Sequence, residues 1–82
     1  MALLLTELCF RLSHDTDDHV RFIGQQCLRS YDEFAGLRYA GLTAFDASHL
    51  AAAARKARAH RDTTRAQLLD EAVRVVRGLL PN

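Results

Sequence analysis

Five of the eleven basic residues in this chain fall within eleven consecutive positions, 55 to 65, which contain one acid, Asp62. Four of the five are arginines, whose guanidinium groups bind phosphates and carboxylates through paired hydrogen bonds. They are spaced by three, three and four residues, so on one continuous helix they would form a single stripe. The members of this stripe are Arg55, Arg58, Arg61 and Arg65.

Three interpretations of this basic segment remain open: a solvated helix face, a surface for an acidic protein partner, and a nucleic-acid surface. Phosphate contacts from such a stripe would make nucleic-acid binding strongly dependent on salt. No aromatic residue lies between positions 55 and 65 to stack on bases, and the chain is close to neutral overall. The main prediction is therefore a protein partner, and one of the three interpretations makes that partner acidic. Nucleic acid is the alternative.

A second group of potentially reactive side chains, the acids and histidines of residues 14 to 19, lies in the segment SHDTDDHV. The chain has no CxxC or HxxxH spacing of the kind that zinc sites use. An EF-hand loop would need a glycine at its sixth position and a glutamate at its twelfth, and neither is present. Helix capping by the acids and solvent exposure of the histidines explain why these residues occur together. We therefore expect no metal and no other cofactor.

The two cysteines, Cys9 and Cys27, lie on apolar helical stripes, where cysteine behaves as a small buried hydrophobic residue. A turn centred near residues 15 and 16 would offset them by about five residues, or ~7.5 Å along the helix axis. That offset predicts no bridge between them. The chain also lacks a GxSxG elbow and a glycine-rich phosphate loop. The sequence therefore predicts that the protein is not an enzyme.

Length and composition predict one globular domain, residues 1–82, with 49% hydrophobic and 26% charged residues. The net charge of +1 is unevenly placed, since residues 1–46 hold seven acids and four bases, and residues 47–82 hold three acids and seven bases. The resulting charges of −3 and +4 suit association or an anionic contact. The opening run MALLL is too short for a membrane span of ~20 residues and is not preceded by basic residues. We expect a cytoplasmic protein without a membrane partner.

Helical periodicity predicts an all-α fold, a small bundle of three to four helices. Residues 3–13 favour a helix but also alternate like a strand, so an N-terminal β-hairpin followed by two helices is the alternative. A stripe from Val20 to Phe34 predicts a second helix that ends at Gly36, with a loop over 36–43. Gly24 inside this helix indicates a close crossing by another helix.

Residues 46–78 form either one helix or two. Asp46 is a plausible N-cap for an alanine-rich helix, with Phe45 and Leu50 placed around it as a hydrophobic staple. The poor helix formers between 61 and 64 favour a break there. A last helix over 64–77 would then end at Gly78, and Pro81 would prevent its extension.

The last predicted helix is apolar over about half of its circumference, more than one neighbouring helix covers. Its residues Leu69, Val73 and Val76 are therefore predicted to mediate self-association, most simply as a homodimer. The sequence as a whole predicts a non-catalytic helical protein–protein interaction module. Regulators, inhibitors, adaptors and assembly subunits share this profile, and the alternative is a nucleic-acid-binding protein that uses residues 55–65.

Overall fold

A computed structural model describes residues 4–32, 36–37 and 41–80. Those residues form an all-α bundle of four helices and one short two-stranded ladder. The helices are α1 (Leu5–Leu12), α2 (Asp18–Ser30), α3 (Ala44–Ala59) and α4 (Thr63–Leu79), and the strands are β1 (Tyr31–Asp32) and β2 (Gly36–Leu37). The prediction of a small helical bundle is confirmed, and the alternative of an N-terminal β-hairpin is wrong.

The bundle is built from two helical hairpins, α1 on α2 and α3 on α4. Helix α1 buries Leu8, Cys9 and Leu12 against its neighbours. On its outer side Arg11 donates a hydrogen bond to Glu7 at 2.8 Å. This division into an apolar face and a charged face explains why residues 5–12 form a helix rather than a strand.

Helix α2 crosses α1 at Gly24, as the sequence predicted. A Cβ atom at Gly24 would lie 2.3 Å from the backbone nitrogen of Ser13 and 2.6 Å from the carbonyl carbon of Leu12. Only glycine allows the two backbones to approach this closely. Helix α2 ends at Ser30, so the prediction that it continues through Tyr31 is wrong.

The segment after α2 holds the short antiparallel ladder, in which Tyr31 pairs with Leu37. The predicted loop over 36–43 is therefore replaced at its start by β2 (Gly36–Leu37), while residues 41–43 have no regular secondary structure. Phe34, the last residue of the predicted α2 stripe, and residues 38–40 lie outside the described residues.

Helix α3 begins one residue after Thr43, so the prediction that Asp46 is its N-cap is wrong. Thr43 and Asp46 instead form a capping box. The backbone N–H and the hydroxyl of Thr43 donate to the carboxylate of Asp46, at 2.8 Å and 3.2 Å. This carboxylate thereby satisfies a backbone donor that the helix leaves unpaired.

Residues 46–78 form two helices, which confirms the predicted break. Helix α3 ends at Ala59, and α4 begins at Thr63 with Asp62 as its N-cap, accepting a hydrogen bond from the backbone N–H of Arg65. Helix α4 continues to Leu79, so the prediction that it ends at Gly78 is wrong. Pro81 lies outside the described residues. No helix within the described ranges is both long and apolar enough to span a membrane.

Candidate functional site

The break between α3 and α4 divides the predicted arginine stripe. Arg55 and Arg58 lie on α3, Arg61 lies in the connecting turn, and Arg65 lies in the first turns of α4. Because the chain reverses its direction at residues 60–62, the four guanidinium groups do not line one helix face. The single stripe required one continuous helix, so the predicted break between α3 and α4 divides it.

Two of the four arginines are paired with carboxylates of the same chain. Arg58 donates two hydrogen bonds from one nitrogen to the carboxylate of Asp70, at 2.9 Å and 2.8 Å, between α3 and α4. Arg65 binds Asp15 through Nε at 3.0 Å and through a terminal nitrogen at 2.7 Å. The carboxylates compensate these two charges, and a ligand phosphate or carboxylate would have to compete with them.

Arg61 adopts a left-handed backbone conformation, with φ of 59°. It lies just after the end of α3, where its N–H donates to the carbonyl of Arg58 at 3.0 Å. The next N–H, that of Asp62, donates to the carbonyl of Ala57 at 2.8 Å. This is a Schellman motif, in which glycine usually occupies the position of Arg61. The exposed arginine therefore stands at a strained site.

Of the five basic side chains of residues 55–65, three have no ionic partner among the described residues: Arg55, Lys56 and Arg61. All three are exposed, and all three belong to the last turns of α3 or to the turn that follows. The cationic surface of this part of the molecule is therefore smaller than the sequence suggested, and it includes Lys56 in place of Arg58 and Arg65. We call these three residues the basic turn.

A second stripe runs along the outer side of α3 toward the basic turn. Phe45, His49, Ala52 and Lys56 are spaced by four, three and four residues, so they line one helix face over about 16 Å. An open groove of about 360 Å³ follows this face. The groove is lined by Thr16, Asp17, His49, Ala52, Ala53, Lys56 and Arg65.

The start of this stripe belongs to an exposed aromatic cluster between α2 and α3. The ring of His19 lies 5.5 Å from that of Phe45, 6.3 Å from that of Phe22 and 4.1 Å from that of His49. Phe45 is 71% exposed and Phe22 is 48% exposed. Two large apolar rings thus lie near the His19 ring and are exposed to solvent, where contact of apolar surface with water is unfavourable.

Three contacts join the α1–α2 hairpin to the α3–α4 hairpin, each between one carboxylate and a histidine or arginine side chain. We call these three contacts the hairpin clasp. His19 Nε2 lies 2.7 Å from Asp46, and His49 Nε2 lies 2.9 Å from Asp17. The third pair is the one between Arg65 and Asp15. The partners lie 27, 32 and 50 residues apart in the sequence.

Each carboxylate of the hairpin clasp has a pKa below its ordinary value. Burial raises the pKa of Asp15, but the hydrogen bonds and the charge of Arg65 lower it by more. Burial also raises the pKa of Asp17 and Asp46. Hydrogen bonds from the backbone and from the histidines outweigh that effect in both, so all three groups are carboxylates at neutral pH.

The predicted self-association residues lie in the core of the single chain. Leu69, Val73 and Val76 are 0%, 8% and 1% exposed. The wide apolar face of α4 is therefore covered within the monomer, and these side chains are not free to contact a second chain. The exposed large hydrophobic residues lie elsewhere: Leu4, Phe10, Phe22, Leu28 and Phe45.

Within the described residues, no group of three or more histidine, cysteine or acidic side chains is arranged to hold a metal ion. Comparison with known proteins found no matching family model, no similar curated protein and no similar solved structure. The functional argument therefore depends on the chain's own geometry.

Sequence reasoning missed the aromatic cluster and the hairpin clasp. The segment SHDTDDHV did carry a signal, since four acids or histidines lie within residues 14 to 18 and His19 follows directly. Their partners could not be recognised, because Asp46, His49 and Arg65 lie in elements whose packing against α2 the sequence does not specify. Phe45 was assigned to a hydrophobic staple, but its ring is exposed and contacts His19 instead.

Proposed function

We propose that this protein is a non-catalytic helical interaction module that binds another protein along the outer face of α3. The observation that carries the proposal is the stripe from Phe45 to Lys56. It begins at an exposed aromatic ring, passes a groove and ends at cations without an ionic partner among the described residues. Two cysteines are too few for the disulfide framework of a small secreted protein, which supports a cytoplasmic location.

The partner that fits this face is an acidic, amphipathic segment. An apolar side chain of the partner would pack on Phe45 and Ala52, and its acids would approach Lys56, Arg55 and Arg61. Aromatic residues and arginines are enriched at the energetic centres of interfaces. Opposite charges on the two partners raise the association rate and increase specificity. Regulators, inhibitors, adaptors and assembly subunits all match this description.

Affinity capture from the native cell tests the proposal. The immobilised protein should retain specific proteins after nuclease treatment, because the contact is with a protein. Phe45→Ser and Lys56→Glu should each release those proteins, with about tenfold or greater loss, since truncating an interface anchor costs roughly 2 kcal/mol. Phe10→Ser is the matched control, because Phe10 is an exposed ring on α1, away from the α3 face. Among the described residues, His14 is the one aromatic ring that it contacts.

Two results would contradict the proposal. One is retention of the same proteins by the wild type, the α3 variants and the Phe10 control. The other is a bound fraction that nuclease removes, which would favour the nucleic-acid alternative. In that case, binding of duplex or single-stranded probes at 50 mM salt should weaken steeply as salt is added. Arg61→Ala should then reduce affinity more than Arg58→Ala, since Arg58 is already paired with Asp70.

A further inference from the structure

The crossing of α1 and α2 places the two cysteines opposite each other. Gly24 contacts the backbone at Leu12 and Ser13. The two helices are antiparallel. The residue three positions after Gly24 on α2 therefore lies beside the residue three or four positions before Leu12 and Ser13 on α1. Those positions are Cys27 and Cys9. The sequence-based offset of about five residues is wrong, because the crossing lies at 12–13 and 24 rather than symmetrically about residues 15 and 16.

The distance between the helices also suits a covalent link. Helices packed through ordinary side chains lie 8–10 Å apart. The Cα atoms of a disulfide lie at most ~6.8 Å apart. Because Gly24 has no side chain, α1 and α2 approach within backbone contact at one turn from the cysteines. The register and the spacing together bring two thiols to one point in the core.

The two thiols interact. The side-chain contact with Cys27 lowers the pKa of Cys9, and its effect exceeds the opposing effect of burial. The same contact raises the pKa of Cys27, and burial raises it further. Both thiols are free, and they are 1% and 2% exposed.

We propose that Cys9 and Cys27 form a modification site, at which a low-molecular-weight disulfide oxidant converts the thiol pair into a disulfide that links α1 to α2. This proposal is independent of the interaction face on α3. Its chemistry needs no group other than the two thiols and the oxidant.

With oxidised glutathione as the oxidant, the reaction proceeds in two exchanges. The Cys9 thiolate attacks one sulfur of the oxidant, which forms a mixed disulfide and releases the first glutathione. The Cys27 thiol then loses its proton and attacks the Cys9 sulfur, which forms the bridge and releases the second glutathione. Two protein thiols are oxidised, one glutathione disulfide is reduced to two thiols, and the protons pass to those thiols. Because both cysteines are buried, the first exchange requires α1 to open and is slow.

Formation of the bridge should be much more favourable in the folded protein than in the unfolded chain. The bridge would close a loop of about 19 residues, and holding the two ends together in the unfolded chain is entropically costly. The equilibrium constant for bridge formation should therefore be roughly 200-fold larger in native buffer than in denaturant. If the two cysteines lay too far apart or pointed away from each other, the difference between the two equilibrium constants would disappear, because the disulfide would have to distort the fold.

The experiment equilibrates the intact protein with defined mixtures of reduced and oxidised glutathione, in native buffer and in concentrated urea. After acid quenching and alkylation, mass spectrometry counts the bridged, mixed-disulfide and reduced chains. The expected result is a monomeric bridged species whose equilibrium constant is about 200-fold larger in native buffer. Cys27→Ser should stop at the mixed disulfide, which shows that Cys27 completes the reaction.

Three outcomes would overturn the proposal. One is an equilibrium constant in native buffer that is equal to or smaller than the constant in urea. The others are native conversion only to mixed disulfides or only to disulfide-linked dimers. Gly24→Ala provides a second measurement, because pushing the helices apart should reduce the native advantage. If this variant does not fold, the comparison of native and unfolded wild-type protein still decides the question.

Discussion

Replacing Arg61 with glycine should stabilise the fold. A left-handed conformation costs a residue with a side chain roughly 1–2 kcal/mol, because its Cβ crowds the following carbonyl oxygen. Arg61 has this conformation, with φ of 59°, and both backbone hydrogen bonds of the Schellman motif depend on it. Glycine removes the crowding without changing those hydrogen bonds.

The expected gain is smaller than the full cost of the strain. Glycine also gives the unfolded chain more freedom, which costs about 0.4–1 kcal/mol. The side chain of Arg61 has no ion pair with another described residue, so its removal loses little else. Arg61→Gly should therefore raise the free energy of unfolding by about 1 kcal/mol. For a domain of this size, that corresponds to roughly 4–8 °C in the melting temperature.

Urea unfolding followed by circular dichroism measures this difference, provided that the slope of the transition is unchanged. The matched control is Arg61→Ala, which removes the guanidinium group and keeps the strain. Its free energy of unfolding should stay within about 0.5 kcal/mol of the wild type, as expected for an exposed substitution. Equal stabilities of the glycine and alanine variants would refute the reasoning.

The same two variants separate stability from binding. Both remove the guanidinium group from the basic turn, so both should weaken binding of an acidic partner equally, while only the glycine variant gains stability. A loss of partner binding in the glycine variant alone would mean that the turn's geometry, rather than its charge, contributes to recognition.

Further perturbations test the crossing, the hairpin clasp and the exposed aromatic cluster. Gly24→Ala should lower the free energy of unfolding by about 2 kcal/mol or more in the same urea assay, since its Cβ would lie 2.3 Å from the Ser13 nitrogen; a neutral effect would contradict the crossing. The carboxylates of the hairpin clasp have lowered pKa values in the folded chain, so their stabilisation is present above pH ~4 and is lost as the pH falls through the folded values. Asp15→Asn should accordingly cost roughly 2 kcal/mol at pH 7 and progressively less below pH 4, whereas a cost that stays constant down to pH 2 would contradict that assignment. If the chain self-associates at ~100 μM, sedimentation should show that a Phe22→Ser, Phe45→Ser double variant is monomeric; dimers that persist in this variant would place the contact elsewhere.

Local patterns in the sequence were sufficient to predict the helices, because the spacing of apolar residues is a property of each segment alone. The break between α3 and α4 followed from Asp62 and its neighbouring threonines, which cap a helix better than they continue one. The close approach at Gly24 followed from a glycine that costs a helix stability and therefore needs a reason to be there. Where local signals competed, as at Asp46 and Gly78, the predicted helix boundaries were wrong.

The tertiary structure decided which of these local features meet. The partners in the hairpin clasp lie 27 to 50 residues apart, and the sequence does not specify how one hairpin rotates against the other. The same packing buries Leu69, Val73 and Val76 in the monomer and leaves Phe45 exposed. It pairs Arg58 and Arg65 with acids and leaves Arg55, Lys56 and Arg61 facing solvent. Periodicity shows that a helix has an apolar face, but only the relative placement of the helices determines which of its residues remain available to a partner.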